Sequence, residues 1–204
     1  MSNTVLCIDT ASPAFALALA VDGEVVESLQ RDSNQDHSRL LLTAIDSLLE
    51  GRRDDLAGII VVTGPGSYAG LRVGIATAEG LALSLSIPLA GVGTLEAVAA
   101  AAGVPDGTAI HPAGRGEFAA QPFAQGMPAG EMRALTAEQL PRNVAGEGAG
   151  QFGGIEVRPI SRCAHALCLG LPRLDAAAGG IDAIYLREPH VTRPKRARTP
   201  ITRG

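Results

Sequence analysis

Two short segments of this 204-residue chain bring together residues that a phosphate or nucleotide site would need: Asp9-Thr10-Ala11-Ser12 and Gly64-Pro65-Gly66-Ser67. An acid at the end of a buried strand can organise a cation and a phosphate, and Thr10 and Ser12 add hydroxyls. In the second segment Gly64 and Gly66 tolerate positive φ and Pro65 fixes its own. Ser67 can cap the helix that follows, and the free N–H groups at that helix start suit an anion. Neither segment is a Walker loop, since no Gly-Lys-Ser or Gly-Lys-Thr follows, and the glycine spacing misses G-x-G-x-x-G. Thr10 stands where a phosphate loop would place a glycine between acid and hydroxyl. Capping of the turn after the first strand therefore stands beside phosphate binding as a role for Asp9.

Other chemistries find less support. Ser67 sits in G-P-G-S-Y rather than a G-x-S-x-G elbow, and no base can be assigned to it. His37, His111, His165 and His190 are scattered, with no His-x-x-x-His pair, so no metal site is expected. Cys7, Cys163 and Cys168 are an odd set without C-x-x-C spacing, which fits a reducing cytoplasm better than a disulfide framework or a zinc knuckle. The N-terminus lacks the pattern of a secretory signal, and Arg72, Thr77 and Glu79 interrupt the apolar stretch after Tyr68, so no membrane span is expected.

The formal net charge is −4, but residues 193–204 hold five of the 17 Lys and Arg and none of the 21 acids, which leaves −9 on residues 1–192. Trp is absent and there are only four Phe and two Tyr. An acidic body with few rings is poorly suited to gripping nucleic acid by itself, because phosphate contacts and base stacking dominate that affinity.

These segments need elements to hold them. Val5–Ile8 and Phe15–Val21 read as buried strands, Asp22-Gly23 as a hairpin turn, and Glu24–Leu29 as a third strand. Leu40, Leu41, Ala44, Ile45, Leu48 and Leu49 recur at helical spacing from Ser38 to Leu49, with Asp36 or Ser38 as caps and Gly51 as the stop. A strand at Ile59–Thr63 leads through GPGSYAG into a helix reaching about Leu85. A strand at Ile87–Val92 and a helix at Thr94–Ala102 follow. The order β-β-β-α-β-α-β-α predicts an α/β fold of the ribonuclease-H-like or actin-like (ASKHA) type. Its first lobe spans residues 1–103, a smaller, degenerate second lobe residues 104–192, and a basic tail residues 193–204. Within the second lobe the sequence suggests strands at Thr108–His111, Phe118–Phe123 and Val144-Ala145, and helices near Thr136–Leu140 and Cys163–Leu171. In actin-like ATPases the end of the first strand carries the acid that organises magnesium and phosphate, which is where Asp9 falls.

Within the long helix Gly70, Gly74, Ala78 and Ala82 recur every four residues. Glycines inside a helix cost about 1 kcal/mol each relative to alanine, so something must approach that face closely. Packing against the chain's own elements and packing against another molecule are equally open. On the second, His37, Leu41 and Ile45 of the first helix join Gly70, Leu71, Gly74, Ala78 and Ala82 as a partner face, and Gly74→Leu should block pairing while the monomer stays folded.

Gly64–Gly74 closely resembles the GPGSFTGLRIG signature of the TsaB (YeaZ) family, departing at Tyr68 and Ala69. Ile8-Asp9-Thr10-Ala11-Ser12, Asp36-His37-Ser38 and, more sparsely, Gly114–Phe118, Tyr185-Leu186-Arg187 and Val191-Thr192 also agree with it. The resemblance implies a two-lobed actin-like fold and a non-catalytic cytoplasmic subunit of the tRNA N6-threonylcarbamoyladenosine (position 37) machinery. It also implies a TsaD-like catalytic partner, a TsaE-like ATPase, a homodimer when alone, and contact with tRNA only through the complex. No cofactor of its own is implied, with ATP or ADP admitted at the interface of the complex. A small actin-like ATPase or phosphotransferase acting through Asp9 is the alternative.

Overall fold

A computed structural model describes residues 3–32, 37–103, 105–176 and 180–186. The chain opens with strands β1 (Thr4–Asp9), β2 (Ala14–Val21) and β3 (Glu24–Asp32), then helix α1 (His37–Leu48), strand β4 (Leu56–Val62), helix α2 (Tyr68–Leu85), strand β5 (Leu89–Val92) and helix α3 (Thr94–Ala102). These strands form one sheet in the order β3-β2-β1-β4-β5, antiparallel among the first three and parallel across β1-β4-β5. Asp22 and Gly23 both have positive φ, as the tight β2–β3 turn requires.

The near-continuous apolar runs of β1, β2 and β4 follow from burial on both faces. Leu6, Ile8, Phe15, Leu17, Leu19, Ile59 and Val61 point to the side covered by α1 and α2. Val5, Cys7, Ala16, Ala18, Ala20, Ile60 and Val62 point to the other side, which is covered by a helix that follows the second sheet in the chain. That helix is α4 (Pro159–Gly170), begun by proline at its first turn. The alanines of β2 let it approach the sheet closely, and Gly170 sits where any side chain would strike Ile60.

The second sheet contains β6 (Gly107–Gly114), β7 (Glu117–Ala124), β8 (Met127–Pro128), β9 (Arg133–Thr136), β10 (Val144–Gly146) and β11 (Ile155–Glu156). Its order is β11-β10-β6-β7-β8, with β9 also paired to β7. Helix α3 packs on one face through Leu95, Val98 and Ala99 against Ala109, Ala119, Phe123 and Ala145. Together the two sheets and their helices make the α/β two-lobed fold that the element order predicts.

Three readings of the second half change. The helix expected near Thr136–Leu140 is strand β9 followed by a 3-10 turn at Ala137–Gln139, in which Thr136 and Gln139 cap each other. Pro141 holds Leu140 in an extended conformation and stops the turn from growing. Helix α4 begins at Pro159 rather than Cys163. Although it falls within residues 104–192, it lies on the first sheet, and the segment 180–186 returns there too, with Ile184 N–H donating to Thr63 O at 2.7 Å. Among the described residues no helix is long and apolar enough to cross a membrane. Asp36, Arg187, His190, Val191, Thr192 and the 193–204 tail lie outside the described residues, as do the side chains of His37 and Ser38.

Candidate functional site

The strand-end acid is not open. Asp9, at the end of β1, is fully buried and faces the equally buried Arg162 of α4. Arg162 Nε donates to Asp9 Oδ2 at 2.7 Å and Nη2 to Asp9 Oδ1 at 3.1 Å, a two-pronged pairing that the planar guanidinium favours. The same Nη2 donates to Ser12 Oγ at 2.9 Å, and Nη1 reaches Glu147 Oε2 at 3.3 Å and His111 Nδ1 at 3.2 Å. Ser12 Oγ–H donates to Glu147, and Asp9 Oδ1 also accepts from Ala11 N–H at 3.0 Å. Burial alone would lower the Arg162 pKa, but the charge and hydrogen bonds of Asp9 and Glu147 outweigh it and raise it.

Each member has a local reason for its place. Asp9 and Ser12 flank the turn from β1 to β2, and His111 lies on β6. Glu147 follows β10 between Gly146 and Gly148, both at positive φ, and a side chain at Gly146 would collide with the carbonyl of Ile110. Arg162 occupies the buried stripe Pro159, Arg162, Cys163, Ala166, Leu167 and Gly170 of α4.

His111 is neutral here. Burial, with the Arg162 charge next, lowers its pKa from 6.5 to about 3, so its 3.9 Å approach to Glu147 is not an ion pair. Neutral imidazole accepts from Arg162 through Nδ1 and donates Nε2–H to Ala11 O at 3.2 Å. Between pH 6.5 and 3 the unfolded chain takes a proton on His111 that the folded chain refuses. Stability is therefore complete above pH 6.5 and falls by about 1.4 kcal/mol per pH unit on acidification through that window. Urea midpoints at pH 7, 6 and 5 should show this slope in the native chain and lose it in His111→Gln. Equal slopes would contradict a neutral buried His111.

The second segment is built into the same junction. Ser67 caps α2, its Oγ accepting from Gly70 N–H at 3.2 Å, and Ser67 N–H donates to Ala11 O at 2.7 Å. Gly64 has φ +112, and a side chain there would strike the carbonyl of Ile184; one at Gly66 would strike the backbone of Ala11. The two glycine-and-hydroxyl segments thus meet each other. Thr10 Oγ1 is buried without a hydrogen-bond partner and lies against Gly74.

The small-residue stripe faces inward. A Cβ on Gly70 would lie 2.2 Å from Thr10 O, and one on Gly74 would lie 2.1 Å from Thr10 Oγ1. Ala78 and Ala82 pack with Leu41 and Ile45 of α1, and Leu71 lies in the core on the α4 side. Apart from His37, whose side chain lies outside the described residues, the residues offered to a partner on spacing alone are therefore spent on the chain's own sheet and helix, because that is the side on which α2 must come close to its neighbours.

The opposite face of α2 carries Tyr68, Ala69, Arg72, Ala76, Gly80 and Leu83, all exposed, with Leu83 83% accessible. A Cβ on Gly80 would meet nothing within 4 Å among the described residues. Arg72 Nη1 donates to Tyr68 OH at 2.8 Å and lies over its ring, which stacks at 5.0 Å on Tyr185. Beside this face a groove of about 480 Å³ runs between α1 and α2, lined by Leu42, Ile45, Leu49, Leu81 and Leu85 among others. In the sequence this outer face is a weaker pattern than the inner stripe, since Tyr68, Arg72 and Leu83 interrupt its small residues Ala69, Ala76 and Gly80. Among the described residues no three His, Cys, Asp or Glu converge as metal ligands.

Comparison with known proteins supplies independent findings. The family model described as TsaD, tRNA N6-adenosine threonylcarbamoyltransferase, matches residues 24–125. The tRNA threonylcarbamoyladenosine biosynthesis protein TsaB of Bacillus subtilis is 38% identical over 100 residues, covering 48% of this chain and 44% of that protein. TsaB of Escherichia coli is 36% identical over 98 residues, covering 47% of this chain and 42% of that protein. Each match thus spans less than half the length of the curated relative. Among solved structures, an uncharacterized Pseudomonas aeruginosa protein with similarity to peptidase YEAZ superposes with a TM-score of 0.72 at 24% identity, covering 91% of this chain and all of that one. YeaZ from Pseudomonas aeruginosa superposes at 0.66 and 24% identity, covering 81% and 90%. These likenesses bear on the fold.

Proposed function

Because this chain belongs to the TsaB (YeaZ) family of tRNA threonylcarbamoyladenosine biosynthesis proteins, we propose that it serves as the non-catalytic subunit that pairs with a TsaD-like transferase. It does so through the outer face of α2 and the adjoining edge of α1. A TsaE-like ATPase joins the same assembly, a homodimer forms through the same face when the transferase is absent, and tRNA is met only through the complex. The setting is the cytoplasm, which three free cysteines suit. ATP or ADP belongs to the interface of the complex rather than to this chain.

The observation that carries this reading is Gly80. A glycine in the exposed middle of a helix costs about 1 kcal/mol relative to alanine, and nothing among the described residues requires it there. Close approach of another helix across Ala76, Gly80 and Leu83 gives it a purpose, and the exposed Leu42 and the adjoining groove extend the apolar contact. The alternative, an actin-like ATPase or phosphotransferase centred on Asp9, fits less well, since both oxygens of that carboxylate already accept hydrogen bonds inside the protein.

The test is co-purification with the same organism's TsaD-like subunit, read by size-exclusion chromatography with light scattering. Gly80→Leu should leave the isolated chain as stable as before or more so, by up to about 1 kcal/mol. Leu83→Glu should leave its stability unchanged. Each should weaken pairing by about 2 kcal/mol, roughly 30-fold. Undiminished pairing in both variants would refute this face as the interface.

A further inference from the structure

We infer that Arg162 acts as a built-in cation that joins the two lobes, so that their relative orientation is set by the protein itself and not by a bound metal or nucleotide. Its guanidinium is shared among Asp9 and Ser12 of the first lobe and His111 and Glu147 of the second. It is delivered by α4, a helix that lies against the first sheet. The five N–H donors of a guanidinium form a rigid planar fork. Partners on every side of that fork must therefore keep fixed distances from one another, which a flexible lysine ammonium would not enforce. His111 adds a second tie, because its neutral ring accepts from Arg162 on one side and donates across the junction to Ala11 O on the other.

The charge count points the same way. One guanidinium faces two carboxylates, so the junction is already net negative and repels phosphate. The carboxylate that would have to ligate a cation is fully buried and engaged: Asp9 Oδ1 accepts from Ala11 and Arg162, and Oδ2 accepts from Arg162. A divalent ion would have to displace the arginine without any alternative acid for the arginine to join among its present contacts except Glu147. The lobes are therefore held in one orientation in the free chain, and whatever docks on α2 meets the second lobe always in the same place.

The experiment measures the distance between the lobes directly. Cys168, the exposed cysteine, is changed to serine, while Cys7 and Cys163 are buried and do not take label. Spin labels are then placed at the exposed positions Ser84 on α2 and Met127 on β8, and the labelled chain is diluted into excess unlabelled chain so that only distances within one copy are read. Double electron–electron resonance should give one narrow distance population, the same with and without magnesium-ATP. Glu147→Gln, at a side chain that is 26% accessible, should broaden it. Arg162→Lys, which keeps the charge and loses the fork, should broaden it further or add a second population, with circular dichroism confirming that each variant is folded. A distribution that shifts with magnesium-ATP in the native chain overturns the inference. So does an unchanged distribution in both variants, or in Glu147→Gln alone should Arg162→Lys fail to fold.

Discussion

Arg162→Met should destabilise the chain by about 3–5 kcal/mol, the usual consequence of removing one partner of a buried ion pair. Methionine fills much of the volume, so the loss is not one of packing. It comes from leaving Asp9 fully buried with only the Ala11 N–H to stabilise its charge, and from stripping Ser12, His111 and Glu147 of a shared donor. For a domain of this size each kcal/mol corresponds to roughly 2–4 °C, so the melting temperature should fall on the order of 10 °C. The double variant Asp9→Asn/Arg162→Met removes the orphaned charge and should recover a good part of that loss, giving a strongly non-additive cycle. Thermal and urea unfolding followed by circular dichroism measure Arg162→Met, Asp9→Asn and the double variant. A single variant within about 0.5 kcal/mol of the native chain, the range of ordinary surface substitutions, would show that the pairing is not structural.

Gly74→Leu should fail at the level of folding and not merely at the level of pairing. The first added carbon would lie 2.1 Å from Thr10 Oγ1, and Thr10 is itself fully buried on the turn that carries Asp9. Three further carbons must then find room between α2 and the end of β1. Overpacking of this kind ordinarily costs about 1–3 kcal/mol, and more where the backbone cannot move. Here the turn is held by Arg162 and by Ser67 N–H on Ala11 O. The variant should express poorly or melt well below the native chain. A native melting temperature together with lost pairing would restore Gly74 to the partner face.

That contrast shows where the sequence was informative. The strands and helices of the first half were legible because their periods are clean: alternation or continuous apolar runs in β1, β2 and β4, and i, i+3, i+4 spacing in α1. The stripe Gly70-Gly74-Ala78-Ala82 was legible as a face but not as a destination, since four-residue spacing says which residues align and not which neighbour they meet. The outer row through Ala76 and Gly80 carries only a broken form of that signal, because the same spacing also holds Tyr68 and Arg72. In the second half β8, β9 and β11 have two to four residues each, too few for any period to emerge. Arg162 was hidden by a misplaced boundary. With the helix begun at Cys163 it lies outside, whereas with Pro159 as the first residue it falls on the apolar stripe, where a charged residue calls for a buried counter-charge. Glu147, held between two glycines after a short strand, is legible only once its sheet is known.

The position of α4 also has a consequence in time. One face of the first sheet, made of Ala16, Ala18, Ala20, Ile60 and Val62, is covered by residues that leave the ribosome about a hundred positions after β4 is complete. At about 5–20 residues per second that delay is on the order of 5–20 s. Throughout it the nascent chain carries an uncovered apolar sheet and a buried-to-be aspartate without its arginine. The first lobe therefore cannot mature during synthesis in the order in which it is written, and its final locking step waits for α4 to emerge.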